Sequence, residues 1–185
     1  MKPPHAPRAA GQASCLIALG SNLGCRLSNL RSAVAELHSD GDVSVRAVSK
    51  LYQTSPIGGP EDQGAFLNAA LLAETRLAPD ELLARLHRIE DARGRKREVH
   101  WGPRTLDLDL LTYGDLTMDT SELSLPHPRL HVRRFVLVPV CDIAPELTHA
   151  RTGRTMHDHL ADLPAVDGDL SVYAASWCEP DQPTA

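Results

Sequence analysis

The stretch His100-Trp101-Gly102-Pro103-Arg104-Thr105-Leu106-Asp107-Leu108-Asp109-Leu110-Leu111 decides how the chain is read. A Gly-Pro breaker runs into Thr-Leu-Asp-Leu-Asp-Leu, where polar and apolar residues alternate. A period of two predicts a half-buried strand starting just after the breaker. Side chains at i and i+2 leave the same face of a strand, about 6.6 Å apart at a rise of roughly 3.3 Å per residue. Asp107 and Asp109 therefore stand side by side, with Leu106, Leu108 and Leu110 turned to the core. Asp is disfavoured in strands, and like charges on one face repel unless a cation lies between them. Two carboxylates with an open side suit Mg²⁺, which takes a few carboxylates and completes its shell with substrate phosphates. The alternative at this point is a plain solvated strand face.

The flanking residues bear on that choice. From Arg85 to Arg104 there are seven Lys or Arg against three acids, a local charge of +4 in a chain whose formal total is −5. Arg93-Gly94-Arg95-Lys96-Arg97 leads to His100, Trp101 and Arg104. A polyphosphate needs guanidinium forks for its oxygens beside the metal pair. Taken alone, such a basic run also suits a solvated loop.

At 185 residues, with 42% hydrophobic and 23% charged residues, the chain is long enough for one domain with a sizeable core. Mild acidity argues against a general nucleic-acid binder. The longest early apolar run, Cys15 to Leu19, is too short for a signal sequence or a membrane span. Cys15, Cys25, Cys141 and Cys178 show no CxxC spacing and read as reduced packing residues of a cytoplasmic protein. The pairs His157/His159 and His127/His131 have no convincing third ligand and read as surface or packing residues.

In chain order, residues 1–13 read as a flexible tail and Ser14 to Leu19 as a central strand. Gly20 to Gly24 form a turn. A helix follows with Leu27, Leu30, Val34 and Leu37 on one face. Val43 to Thr54 reads as one further strand, 55–64 as a patternless loop, and Phe66 to Thr75 as a third strand. Pro79 with Asp80 and Glu81 opens a helix that stops before Gly94. Gly94 to Pro103 is a second loop. Ser124 to Arg129 is rigid and extended around its prolines. Phe135 to Val140 fits a strand or a buried helix, and Thr155 to Leu163 a short helix. The expected domain is 14–173, with 174–185 as a C-terminal tail.

Arg95-x-Arg97, Trp101-Gly102-Pro103-Arg104-Thr105-x-Asp107-x-Asp109 and Pro126-His127-Pro128 resemble the 6-hydroxymethyl-7,8-dihydropterin pyrophosphokinase family of folate biosynthesis. The resemblance runs in order from about Cys15 to Leu147. It takes in Ala18-Leu19-Gly20-Ser21-Asn22-Leu23, Tyr52-x-Thr54-x-Pro56, Phe66-Leu67-Asn68-Ala69-Ala70, Ile89-Glu90, Arg133-x-Phe135-Val136-Leu137 and Ile143-Ala144-Pro145-Glu146-Leu147. It implies an α+β, ferredoxin-like αβα sandwich with a mostly antiparallel sheet, working as a monomer. It also implies a reaction in which ATP and hydroxymethyl-dihydropterin give AMP and the pterin pyrophosphate, with two Mg²⁺ ions.

Carried over by position, the resemblance makes Asp107 and Asp109 the metal ligands, and Asp107, Asp109, Arg95 and Arg104 the catalytic set. Glu90, Arg95, Arg97, Ser124, His127 and Arg133 fall to ATP. Thr54, Pro56, Ile57, Phe66, Asn68, Trp101 and Phe135 fall to the pterin, with Phe66 and Phe135 as a stacking pair. Loops 55–64 and 94–103 are expected to close over the substrates. Three positions depart from the pattern. His100 and Glu122 stand where some members have arginine, and Phe66 replaces a frequent tyrosine. Two rival readings are a Mg²⁺-dependent kinase moving only the γ-phosphoryl group and a non-enzymatic module that binds RNA through the basic loop.

Overall fold

A computed structural model describes residues 11–56, 63–94, 102–165 and 170–178. In chain order its elements are strand β1 (Ala13–Ser21), helix α1 (Arg26–His38), strands β2 (Val43–Val48), β3 (Leu51–Thr54) and β4 (Phe66–Thr75), and helix α2 (Pro79–Ala92). Then come strand β5 (Asp107–Tyr113), a small hairpin of β6 (Met118–Asp119) and β7 (Ser124–Leu125), a 3₁₀ turn (Leu130–Val132), helices α3 (Arg134–Ile143) and α4 (Met156–Asp162), and strand β8 (Leu170–Ala174). The large sheet runs β5-β1-β4-β3-β8, with β2 also paired to β4. Every pairing in it is antiparallel. The fold is α+β, as the resemblance implied.

The strand period of two sorts the sheet residues onto two faces. Ile17, Leu19, Leu67, Leu71, Leu108 and Leu110 pack against Leu30, Val34 and Leu37 of α1 and Leu82, Leu86 and Ile89 of α2. Leu106, Leu108 and Leu110 are thus buried as the alternation predicted. Leu16, Ala70 and Leu111 look the other way, onto Leu130, Val136, Leu137, Val140 and Met156. Helix α2 starts as its sequence predicts, with Pro79 in the first turn and the Glu81 carboxylate accepting the Ala78 N–H at 2.8 Å.

Four features differ from the sequence reading or go beyond it. Residues 43–54 form two strands because the chain breaks at Ser49 and Lys50. The Ser49 hydroxyl accepts the Ala70 N–H at 2.9 Å, so the side chain replaces a ladder bond there. The open alternative at 135–140 resolves as helix α3, which contains Pro139. Val136 and Val140, one turn apart, both face the second core. The β6–β7 hairpin is too short to leave a periodic signal. Finally, the expected tail does not begin at 174. Strand β8 pairs with β3, Trp177 is 3% exposed within the first core, and its indole N–H donates to the Ser49 carbonyl at 2.8 Å.

Candidate active site

The second sheet face is covered by α3 at one end and carries polar residues at the other. Gly20 of β1 is in register with Asn68 of β4 and with Asp107 of β5. Ala18, one pleat away, pairs with Asp109 on one side and Ala70 on the other. Asp107 and Asp109 are both partly exposed, while Leu108 between them is buried. The two carboxylates therefore leave the same face, as the alternation predicted. Gly20 is the floor between them and Asn68. A Cβ built there lies 3.4 Å from Asn68 Oδ1, 3.7 Å from Asp107 Cβ and 4.0 Å from Phe66 Cδ1.

The amide side is pre-set. Asn68 Nδ2 donates to Thr54 Oγ1 at 2.8 Å, and both residues are 7% exposed. Phe66 lies two residues before Asn68 in β4, on the same face and half-buried. Phe135, in the first turn of α3, is half-buried against the second core, with the Arg133 guanidinium 5.6 Å from its ring centroid. Pro56, half-buried, follows Thr54 at the end of β3.

The acidic side is ringed by cations. Arg104 Nη1 donates to Asp107 Oδ2 in a close ion pair. The His127 backbone N–H donates to the Leu111 carbonyl at 2.8 Å, which fixes the Pro126–Pro128 strap to β5. Its Nδ1 accepts the Arg129 N–H at 3.1 Å, so in the neutral ring the proton sits on Nε2. Burial holds the His127 pKa below its usual range. Arg133 and Arg129 push it the same way, and Asp109 and Asp107 oppose them. Burial likewise lowers Arg133, with Arg129 adding to the shift and the two aspartates resisting it. The neutral His127 ring and the Arg133 guanidinium thus both lie within electrostatic reach of both carboxylates.

Asn22 is a residue whose role the sequence reading missed. Its Oδ1 accepts the Arg104 N–H at 2.7 Å, and its own N–H donates to the Arg104 carbonyl at 3.0 Å. Its Nδ2 reaches the Gly64 carbonyl and Gln63 Oε1, both at 3.2 Å. One buried amide thus ties the turn after β1 to the segments flanking β4 and β5. Ser21 and Asn29 reinforce it, donating to the Thr105 carbonyl at 2.6 and 2.9 Å. The signal available in the sequence was an Asn inside a glycine-bounded turn, a residue that bonds backbone readily.

Two positions carried over as nucleotide contacts make hydrogen bonds within the protein. The Ser124 hydroxyl donates to Asp119 within the β6–β7 hairpin, where Arg151 also bonds Asp119. Glu90 is fully buried and its Oε1 accepts the Leu108 N–H at 2.7 Å. Ile57, Arg95, Arg97 and Trp101 lie outside the described residues, as do positions 57–62 and 95–101 of the two loops. Among the described residues no group of three His, Cys, Asp or Glu is placed to hold a metal ion. The aspartate pair offers hard oxygen donors alone. That set fits Mg²⁺, which is held by one or two carboxylates plus substrate phosphates, better than a metal needing a full protein cage.

The sequence model of the 7,8-dihydro-6-hydroxymethylpterin-pyrophosphokinase (HPPK) family matches residues 16–145. The chain belongs to this family. That match spans every described residue of the site. The chain is 48% identical over 136 residues to the 2-amino-4-hydroxy-6-hydroxymethyldihydropteridine pyrophosphokinase of Bacillus subtilis, covering 74% of this chain and 81% of that one. It is 40% identical over 148 residues to the Pseudomonas aeruginosa protein of the same name, covering 80% and 90%. In structure it resembles wild-type Plasmodium falciparum HPPK-DHPS with pterin and p-hydroxybenzoate, at a TM-score of 0.64 and 14% identity. That likeness covers 81% of this chain and 43% of the other, and it speaks for the fold alone.

Proposed function

We propose that this HPPK-family chain transfers pyrophosphate from ATP to 6-hydroxymethyl-7,8-dihydropterin, giving AMP and the pterin pyrophosphate, with Mg²⁺ held at Asp107 and Asp109. The observation that carries the proposal is the row Asp107–Gly20–Asn68. It sets a carboxylate pair that suits a metal polyphosphate across one intervening strand from an amide and an aromatic ring that suit a flat heterocycle. Bound there, two Mg²⁺ ions supply charge neutralisation along the phosphates and polarise the hydroxymethyl oxygen.

The chain's own residues do the rest. Asn68, with Thr54 behind it, hydrogen-bonds the edge of the pterin, and Phe66 and Phe135 stack on its faces. Thr54, Pro56 and Ile57 offer backbone groups to the ring, and Trp101 covers it. Arg104, Arg133 and His127 grip the triphosphate, joined by Arg95 and Arg97 from the basic segment. The hydroxymethyl oxygen attacks the β-phosphorus in line as the bond from that phosphorus to the AMP oxygen breaks. Asp109 accepts the hydroxyl proton. Positioning and charge stabilisation carry the catalysis, as in phosphoryl transfer generally.

No helix among the described residues is long and apolar enough to cross a membrane. The same proposal takes the chain as a cytoplasmic monomer. The direct test is incubation with ATP, Mg²⁺ and the hydroxymethyl pterin, with nucleotide products separated by chromatography. AMP supports pyrophosphoryl transfer. ADP supports a kinase that moves the γ-phosphoryl group alone.

A further inference from the structure

Glu90 occupies a place where a carboxylate is costly. It lies in the last turn of α2 and is 0% exposed. Desolvating a carboxylate is unfavourable unless strong hydrogen bonds compensate. One such bond is present, the 2.7 Å contact from the Leu108 N–H to Glu90 Oε1. Leu108 is the residue between Asp107 and Asp109. It belongs to β5, which lies at the edge of the large sheet and among the described residues pairs there with β1 alone. The Glu90 carboxylate therefore takes a backbone donor at the edge of that strand.

Two consequences follow from that position. Asp107 and Asp109 leave the sheet face opposite the Leu108 side chain, which packs with α2. Glu90 thus acts on the backbone between the aspartates and not on their carboxylates. The bond also joins residues 18 apart in sequence, so it closes the base of the segment that carries the basic run and Arg104.

We propose that Glu90 is a positioning residue for the reaction. Its bond to the Leu108 N–H holds the first residues of β5 in one pleat, sets Asp107 and Asp109 relative to each other, and fixes both ends of the arginine-bearing segment against the strand. Glu90 does not contact the nucleotide. The catalytic part of this inference rests on the proposed function, while the positional part does not.

The experiment compares the full chain with Glu90→Leu, which removes the acceptor, and Glu90→Gln, which keeps one. Outer-shell partners of metal ligands typically contribute about 10–100-fold. Glu90→Leu is accordingly expected to lower kcat by about 10–100-fold with the KM for ATP within about threefold. Mn²⁺ binding in the presence of a non-hydrolysable ATP analogue, read by electron paramagnetic resonance, weakens by about tenfold. The Leu108 amide, followed by NMR hydrogen exchange, loses protection. Glu90→Gln restores all three readouts to near the wild-type values.

Wild-type kcat and metal affinity in Glu90→Leu would overturn the proposal. So would a loss confined to the KM for ATP, or a Gln variant as impaired as the Leu variant. Should Glu90→Leu fail to fold, Glu90→Asp, one methylene too short to reach Leu108, carries the same expectations and the same contrary outcomes. If the wild-type protein makes no AMP, the functional reading falls, and Leu108 exchange with Mn²⁺ binding still decides the role of Glu90.

Discussion

Asn68 of β4 and Asp107 of β5 are both in register with Gly20 of β1, one on each side. The missing Cβ at Gly20 lets an amide that suits a heterocycle and a carboxylate that suits a metal border the same space. A Cβ there would touch both residues and Phe66 at ordinary contact distances, so alanine fits without breaking the fold. Gly20→Ala is expected to keep the wild-type melting temperature within a few degrees and to weaken pterin binding about tenfold, equivalent to roughly 1.4 kcal/mol. Gly20→Leu fills the floor and removes binding. A fluorescence titration with a pterin analogue checks both. Unchanged affinity in Gly20→Leu would remove the pterin from this face.

Asp109 lies within electrostatic reach of His127 and Arg133, and in the proposed reaction it both holds Mg²⁺ and takes the hydroxyl proton. Asp109→Ala is therefore expected to nearly abolish turnover. Arg104→Ala should slow the chemical step by about 10²–10³-fold, the usual effect of removing one preorganised contact. Single-turnover kinetics separates that step from binding. More than about half the wild-type rate in Asp109→Ala would contradict the assignment, given the size of such effects.

His149 is 1% exposed, and its ring lies 5.1 Å from that of His131 and 5.5 Å from that of His159. Burial, with His131, His159 and Arg151 adding to it, holds its pKa below the usual value. His159, whose Nε2 lies 2.7 Å from Thr152 Oγ1, is lowered too, again chiefly by burial. A histidine with a depressed folded-state pKa contributes stability that is complete above its unfolded pKa. That contribution is lost as pH falls through that value, because the unfolded chain takes up the proton first. The denaturant midpoint of the wild type is thus expected to fall from about pH 7 to pH 5, across the ordinary imidazole range. His149→Phe should flatten that fall. Equal slopes for the two proteins would assign the acid sensitivity to other groups.

Trp177 seats its indole in the first core and bonds the Ser49 carbonyl, while Arg31 Nε donates to the Trp177 carbonyl at 2.7 Å. Trp177→Ala is expected to cost roughly 3–5 kcal/mol, as for large aromatic truncations in cores. Truncation before β8 should be worse. Chemical denaturation measures both, and a change below about 1 kcal/mol would be too small for a buried aromatic.

How far these features could be read from the sequence depended on how local their causes were. The alternation around Asp107 and Asp109 is a local pattern, and the strand with its buried leucines appeared as predicted. The α1 and α2 faces followed from helical spacing for the same reason. Ser49 broke a strand that looked continuous because its hydroxyl competes with the ladder, and a hydroxyl in a β-branched run carries no mark of that. Trp177 was taken for a tail residue because its partner, Ser49, lies 128 residues away. The structural bonds of Asn22 and Glu90 escaped for a similar reason. Their bonds go to the backbone of distant segments, and backbone partners leave no trace in residue type.

The central claim is that Asp107 and Asp109 hold magnesium against the phosphates of ATP. Calorimetric titration of Mg²⁺ into the chain with a non-hydrolysable ATP analogue tests it most directly, comparing the wild type with the Asp107→Asn, Asp109→Asn double variant. The account predicts two ions bound per chain in the wild type and loss of that uptake in the variant, with the fold unchanged by circular dichroism. Equal stoichiometry and affinity in the two proteins would contradict it.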